Sequence, residues 1–84
     1  RLASEKVASF LALLLDRIGE PLGAYRLIRL PMNRSDIADY LGLTPETISR
    51  SITQFRANKL VALEDAHTMI VLDAARLRAT ADGC

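Results

Sequence analysis

The most constraining feature of this sequence is a pair of short amphipathic segments joined by only three residues, Gly42-Leu43-Thr44. Asn33 can cap the first segment as a helix, with Asp36 three residues on in a variant of the capping box. Thr44 can cap the second, and Pro45 suits the first helical position because its missing N–H needs no partner there. Gly42 readily takes the left-handed backbone that ends a helix. The pattern predicts two short helices in a tight helix-turn-helix.

Apolar and small residues within this unit recur at spacings that would hold the two helices at a fixed angle. They are Ile37, Ala38, Leu41, Leu43, Ile48 and Ile52. Ala38 lies where the helices meet, so a large side chain there would push them apart. Helices this short are not stable alone in water, so we expect the rest of the chain to pack against them.

A longer helix is predicted before this unit by a single apolar stripe. Ser4 can cap it, Glu5 is favourable in its first turn, and Gly19 and Pro21 stop it. Its apolar residues recur at spacings of three and four: Val7, Phe10, Leu11, Leu14, Leu15 and Ile18. A stripe of this kind faces the protein core in most globular proteins, and contact with a partner helix is the alternative.

Stretches of β-rich sequence predict strands on either side of the helix-turn-helix. Residues 22–32 alternate so that one face would be buried, with Gly23 in a preceding turn and Pro31 favouring an edge position. The buried side chains of this strand would be Ile28, Leu30 and Met32. Residues 60–63 and 68–72 are predicted to form a hairpin joined by residues 64–67.

The last part of the chain is predicted to be a short helix. Asp73 can cap it, and it would run from Ala74 to about Ala81 and end at Gly83. A short helix, a glycine turn, a capped second helix and a following hairpin together define the predicted fold class. That class is mainly α with small β, a winged helix-turn-helix.

Composition excludes several function classes and selects none. The chain has 84 residues, a net charge of +1, one cysteine (Cys84) and one histidine (His67). Its longest apolar run, Phe10 to Leu15, is far shorter than the roughly 20 residues of a membrane helix. One cysteine excludes an internal disulfide, and a zinc site built from one cysteine and one histidine is not expected. We predict Cys84 to be a free thiol without a role.

Catalytic motifs are also missing from the sequence. No Ser/His/acid set, Gly-rich phosphate loop or carboxylate pair stands out. We therefore expect that the protein is not an enzyme, and that this chain holds no metal and no cofactor.

The outward face of the second helix of the unit, about residues 45–58, carries hydrogen-bonding groups of different kinds. On a helical wheel Ile48, Ile52 and Phe55 point inward, whereas the outward side chains near the helix start are Glu46, Ser49 and Arg50. Arginine offers two parallel donors to guanine O6 and N7, glutamate can accept from cytosine N4, and serine can do either. Because the major groove of DNA admits a helix, these three residues are predicted to contact bases.

A structural alternative exists for this pair of charges. Glu46 and Arg50 lie four residues apart, so on an exposed helix they could simply pair with each other, for about 0.3–0.5 kcal/mol. Ser49 would then be an ordinary surface residue. The surrounding helix-turn-helix favours the DNA-binding interpretation.

A protein that contacts bases also needs phosphate contacts to fix its register on the duplex. The candidates lie at helix starts and along the second helix: Arg34, Ser35, Thr44, Thr53 and Arg56. For Thr44 a capping role is equally expected, and capping and phosphate contact can both hold through different atoms; for Arg56 the alternative is a solvated charge. His67 and Thr68 could contact the DNA backbone, but the sequence favours a simple turn at these residues.

The stretch Asn33 to Phe55, NRSDIADYLGLTPETISRSITQF, resembles the DNA-binding domain of the Crp/Fnr transcription regulators. The segment DIADYLGLTPETISR is especially similar to the Fnr and FixK branch, and the resemblance covers most of the chain, including the strand and the hairpin. It implies a sequence-specific DNA-binding domain that reads a TTGA-like half-site in the major groove. It places Arg50 on guanine, Glu46 on the cytosine side and Ser49 near a thymine.

The resemblance also implies how the domain would be used. Residues 1–84 would be one winged helix-turn-helix domain of a larger bacterial regulator, whose N-terminal sensor domain and dimerisation helix are absent from this sequence. The full-length protein would be a cytoplasmic homodimer on two-fold symmetric double-stranded DNA, with RNA polymerase as a further partner and no contact with a membrane.

Three residues depart from the pattern of the family. Ser51 stands where relatives usually have an apolar residue, which predicts a narrower inner face for the helix. Glu64 and Asp65 lie at the predicted hairpin tip, where they would repel phosphate and so argue against a wing that clamps the DNA backbone.

Two other functions remain open from the sequence. A winged-helix module for protein–protein contact would have the same core without binding DNA, and the weak net charge is compatible with it. A non-specific DNA binder is disfavoured by Glu46, because a carboxylate that faces phosphates is unfavourable unless it contacts a base.

Overall fold

The structure, a computed structural model, describes residues 1–83, so the predicted free thiol of Cys84 lies outside the described residues. It contains four helices and four strands in this order: α1 (Ala3–Ile18), β1 (Glu20–Leu22), β2 (Tyr25–Arg29), α2 (Arg34–Leu41), α3 (Pro45–Ala57), β3 (Val61–Asp65), β4 (Thr68–Val71) and α4 (Ala74–Ala81). The helix-turn-helix is α2 and α3, and the wing is the β3–β4 hairpin. The predicted fold class is confirmed.

The four strands form one antiparallel sheet in the order β1-β2-β4-β3. Strand β2 pairs with β4 from Arg26 opposite Val71 to Arg29 opposite Thr68, so the wing is hydrogen-bonded to the strand that precedes the helix-turn-helix. The prediction that this strand lies at an edge of the sheet is wrong, because β2 lies between β1 and β4. Pro31 follows the end of β2 and removes no bond from the sheet, and the two edges are occupied by β1 and β3.

The alternating burial predicted for β2 is correct only in part. Ile28 and Leu30 are buried as expected, and Met32 is partly buried against the core. Leu27 is buried as well, because it lies between two cross-strand neighbours, Glu20 on β1 and Ile70 on β4.

One core joins all the helices to the sheet. Each of α1, β2, α2, α3, the wing and α4 contributes buried side chains to it, among them Leu11, Leu15, Ile28, Ile37, Ile48, Met69, Val71 and Leu77. The core-facing interpretation of the stripe on α1 is therefore confirmed, although Ile18 at the helix end is exposed. Ser4 does not cap α1, since that helix begins at Ala3 and Leu2 holds the capping position without a side-chain bond.

The other three helices begin as the sequence predicts. The Asn33 Oδ1 accepts a hydrogen bond from the Asp36 N–H at 2.8 Å, and the Thr44 Oγ1 accepts one from the Thr47 N–H at 3.2 Å. The Asp73 Oδ1 accepts from the Arg76 N–H at 3.0 Å. Gly42 ends α2 in the left-handed conformation with a φ of 70°. These caps fix where α3 starts and which of its faces is turned outward.

Candidate nucleic-acid interface

The predicted recognition helix is α3, which spans Pro45–Ala57 with Asn58 at its C-terminal cap. Its buried face consists of Ile48, Ser51, Ile52 and Phe55. The predicted base-contacting residues, Glu46, Ser49 and Arg50, are exposed, as the helical wheel requires. The helix therefore presents these three side chains to solvent on the side away from the core.

The intrahelical ion pair between Glu46 and Arg50 does not form. Within residues 1–83 the ion pairs are Arg1–Glu5, Arg29–Glu20 and Arg78–Asp16, all remote in sequence from α3. Neither the Glu46 carboxylate nor the Arg50 guanidinium makes a side-chain hydrogen bond in this part of the chain. Both groups therefore keep their full hydrogen-bonding capacity for a partner, as a base-contacting residue requires.

The sequence predicts a narrower inner face of α3 at Ser51, and this prediction is wrong because Ser51 belongs to the buried face. Ser51 is only 5% exposed and lies among the apolar residues of the helix. Its hydroxyl interrupts an otherwise apolar face without changing the extent of that face. The orientation of α3 is therefore set by the flanking residues Ile48, Ile52 and Phe55.

A shallow groove of about 180 Å³ lies beside the outward face of α3. Its lining residues come from α2, α3 and β3: Arg34, Ser49, Ile52, Thr53, Arg56 and Leu63. The structure thus brings together three of the five predicted phosphate contacts and one predicted base contact. The contribution of Leu63 on the wing to this groove is not predicted by the sequence, because its position beside α3 depends on the pairing of the distant strands β2 and β4.

Arg34 reaches from the start of α2 to the turn of the wing. Its Nη1 donates a hydrogen bond to the carbonyl oxygen of Ala66 at 3.2 Å. Burial of the side chain lowers the pKa of Arg34 from its ordinary value, because removal from water disfavours the charged form. Arg34 therefore connects the helix-turn-helix to the wing, a role that no local sequence pattern indicates.

The two remaining phosphate candidates, Ser35 and Thr44, are exposed but do not line the groove. The Thr44 hydroxyl is already engaged at the helix start, where it also lies 2.9 Å from the Thr47 hydroxyl. The capping alternative for Thr44 is therefore realised in the structure.

The tip of the wing is tighter than the four residues predicted for it. Strand β3 continues through Asp65, which leaves Ala66 and His67 as the turn. The Asp65 Oδ1 accepts a hydrogen bond from the His67 N–H at 2.8 Å, and the His67 carbonyl accepts from the Leu30 N–H at 2.7 Å. The bond from the His67 N–H, followed by one from the Thr68 hydroxyl, lowers the pKa of Asp65. The carboxylate thus has a structural role in closing the turn.

Two other kinds of site are not seen in residues 1–83. In this range no cluster of three or more histidine, cysteine, aspartate or glutamate side chains could hold a metal ion. No helix of this range is long and apolar enough to cross a membrane.

A helix-turn-helix with an outward face of unpaired hydrogen-bonding side chains, flanked by a wing, defines a winged helix-turn-helix DNA-binding domain. The model of the Crp-like helix-turn-helix domain matches residues 5–80, and the chain belongs to this family. Similar proteins include regulation and transcriptional activator proteins, which agrees with the expectation that this domain is not an enzyme.

The similar proteins lie in the Fnr/FixK branch, as the sequence motif indicated. The chain is 47% identical over 76 residues to the nitrogen fixation regulation protein FixK of Rhizobium meliloti, which covers 90% of this chain and 34% of that protein. It is 41% identical over 80 residues to the transcriptional activator protein FnrL of Cereibacter sphaeroides, covering 89% of this chain and 32% of that protein. The chain thus spans about a third of the length of these relatives.

Solved structures share the same fold. The structure of FixK2 from Bradyrhizobium japonicum aligns with a TM-score of 0.83 and 34% identity, over 94% of this chain and 38% of that one. The CO-dependent transcription factor CooA from Carboxydothermus hydrogenoformans aligns with a TM-score of 0.88 at 23% identity, over 94% of this chain and 36% of that one. The latter likeness concerns the fold alone.

Proposed function

We propose that this domain binds double-stranded DNA sequence-specifically, with α3 in the major groove of a TTGA-like half-site. The observation that carries the proposal is the exposed and unpaired state of Glu46 and Arg50 on the outward face of α3. Arg50 contacts guanine, Glu46 the cytosine side and Ser49 a thymine. The likeness to FixK, a nitrogen fixation regulation protein, and to FnrL, a transcriptional activator protein, supports the same conclusion.

The phosphate contacts in this proposal are Arg34, Ser35, Thr44, Thr53 and Arg56. Backbone N–H groups at the starts of α2 and α3 assist at Ser35 and Thr44, because helix N-termini favour anions. With a net charge of only +1, the domain has little general attraction for DNA, so specificity rests on the side chains of one helix face.

The proposal extends to the full-length regulator. It acts as a homodimer in the cytoplasm on two half-sites about one helical turn apart, with RNA polymerase as a further partner. The domain itself needs no cofactor.

Selection from a pool of random duplexes at low salt tests the central claim. We expect the 84-residue chain to enrich duplexes that contain TTGA, and the Arg50→Gln variant to lose the preference for its guanine. Enrichment of no motif, with the chain folded, would favour a winged-helix module for protein–protein contact. Equal binding to all duplexes would indicate a non-specific DNA binder.

A further inference from the structure

The groove beside α3 has an unusual balance of charges. Its lining includes two guanidinium groups, from Arg34 and Arg56, and two hydroxyl groups, from Ser49 and Thr53. No carboxylate is among the lining residues, and the other two are the apolar Ile52 and Leu63. Arg34 is partly buried, and because screening by water is weaker at such a position, an anion in this groove would interact favourably with its charge.

Arg34 lacks a counter-ion although it is partly buried. Its side-chain hydrogen bond goes to the neutral carbonyl of Ala66, and none of the ion pairs in residues 1–83 involves it. A charge that is partly removed from water without an opposite charge is unfavourable, and an anion bound beside it offsets that cost. The lowered pKa of Arg34 has the same cause.

The residues that α3 contributes to the groove lie on one stripe of the helix. Ser49, Thr53 and Arg56 follow one another at spacings of four and three, which places them on one side of the helix surface. The Arg56 side chain is exposed and makes no hydrogen bond or ion pair within residues 1–83. Arg34 faces this stripe from the start of α2, so two arginines from different helices border the same space.

We propose that this groove is a single phosphate site, in which Arg34, Arg56 and Thr53 hold the same phosphate of the DNA backbone. Ser49 lies at the rim of the site and connects it to the base-contacting face. A phosphate presents several acceptor oxygens, and the arginine fork suits them, so two guanidinium groups and a hydroxyl can share one. This inference rests on the proposed function and specifies how the phosphate contacts within it are grouped.

Scanning the bound duplex with methylphosphonates tests the grouping. Each substitution replaces one charged phosphate by a neutral group, and the affinity of the chain is measured for every position. We expect the wild-type chain to bind several-fold more weakly at the position that enters the groove. The Arg34→Gln and Arg56→Gln variants should each lose affinity for the normal duplex and show a smaller further loss than the wild type at that same position, because one of the shared contacts is already absent.

Two further variants complete the experiment. Thr53→Val removes a hydroxyl from an exposed residue at similar size, and the affinity lost on neutralising that position should be slightly smaller in this variant than in the wild type. Arg17→Gln, on the exposed end of α1 outside the groove, is the matched control for charge and should leave the methylphosphonate pattern unchanged. Arg56 makes no side-chain bond within residues 1–83, so its variant stays informative even if Arg34→Gln loosens the wing.

The outcomes separate the two proposals. If Arg34 and Arg56 respond to different phosphates, or if neither variant loses affinity, the shared site is wrong while DNA binding stands. If the wild-type chain binds no duplex at all while folded, the proposed function fails and the phosphate site fails with it.

Discussion

The Nη1 of Arg34, at the first residue of α2, donates a hydrogen bond to the carbonyl oxygen of Ala66 in the turn of the wing at 3.2 Å. This bond joins residues that lie 32 positions apart in the sequence. It ties the helix-turn-helix to the hairpin on the side that we assign to DNA. The relative position of wing and helices therefore depends on a side chain as well as on the sheet.

Replacement of Arg34 by glutamine should loosen the wing. The shorter side chain cannot reach the Ala66 carbonyl, and the loss of one hydrogen bond of this kind costs about 1 kcal/mol of unfolding free energy. For a domain of this size that corresponds to a fall in the melting temperature of about 4–8 °C. Thermal unfolding measures the fall, and amide hydrogen exchange at Ala66 and His67 should quicken.

Arg17→Gln provides the comparison for that change. It removes the same charge from an exposed position on α1 and should leave hydrogen exchange in the wing unaltered. An unchanged exchange rate in Arg34→Gln would show that the sheet alone positions the wing.

Replacement of Arg50 by alanine should affect binding to one DNA sequence more than to others. Loss of a bidentate contact to guanine costs about 1–3 kcal/mol at the matched site and relaxes the preference at one base pair. Fluorescence anisotropy with the matched duplex and with single-base variants measures both effects. Arg50→Lys keeps the charge but lacks the two parallel donors, so we expect it to keep most of its affinity for unmatched duplexes and to lose the preference for the matched one. An equal loss on every duplex would contradict base contact by Arg50.

Replacement of the buried Ser51 by alanine should stabilise the domain. Ser51 lies on the buried, otherwise apolar face of α3, and alanine suits such a face and has the higher helix propensity, by roughly 0.5 kcal/mol. Denaturant unfolding should show a higher midpoint with an unchanged slope. Ser49→Ala, on the exposed side of the same helix, gains the same helix propensity. The difference in unfolding free energy between the two variants therefore measures the effect of burial at Ser51. A destabilised Ser51→Ala variant would indicate that the hydroxyl has a partner.

Asp65 should make the wing sensitive to acid. Its pKa in the folded state lies below the ordinary value of 3.8, chiefly through the bond from the His67 N–H. A lowered folded-state pKa means that the stabilisation is present above pH 3.8 and is lost as the pH falls through the lower value. An NMR titration of the side-chain carboxyl carbon measures this pKa directly. In Asp65→Ala the wing turn should exchange its amides quickly at neutral pH, and a titration midpoint above 3.8 would contradict the assigned bond.

Local chemistry explains why the helix-turn-helix could be predicted from the sequence. Caps at Asn33, Thr44 and Asp73 depend on bonds across three residues, and the left-handed turn at Gly42 depends on one backbone angle. The exposed face of α3 follows from the helical period once its start is fixed. These features need no knowledge of distant parts of the chain.

Features that depend on long-range pairing could not be predicted. The central position of β2 follows from its pairing with β4, about 40 residues later, and no local signal records this partner. The short edge strand β1 contains Pro21, and the local sequence indicates only the end of a helix at this proline. The groove around Arg34 and Arg56 likewise exists only because the sheet brings Leu63 and Ala66 beside the helices.

The pairing of β2 with β4 also sets the smallest length at which the DNA-binding helix can exist as a folded unit. A peptide that ended after α3 would leave the inner edge of β2 without hydrogen bonds and would uncover Ile28, Ile48 and Phe55, which share the core with Met69 and Leu77. Closing the loop between β2 and β4 costs conformational entropy that is recovered only when the whole core forms. The recognition surface therefore folds cooperatively with the C-terminal third of the chain or not at all.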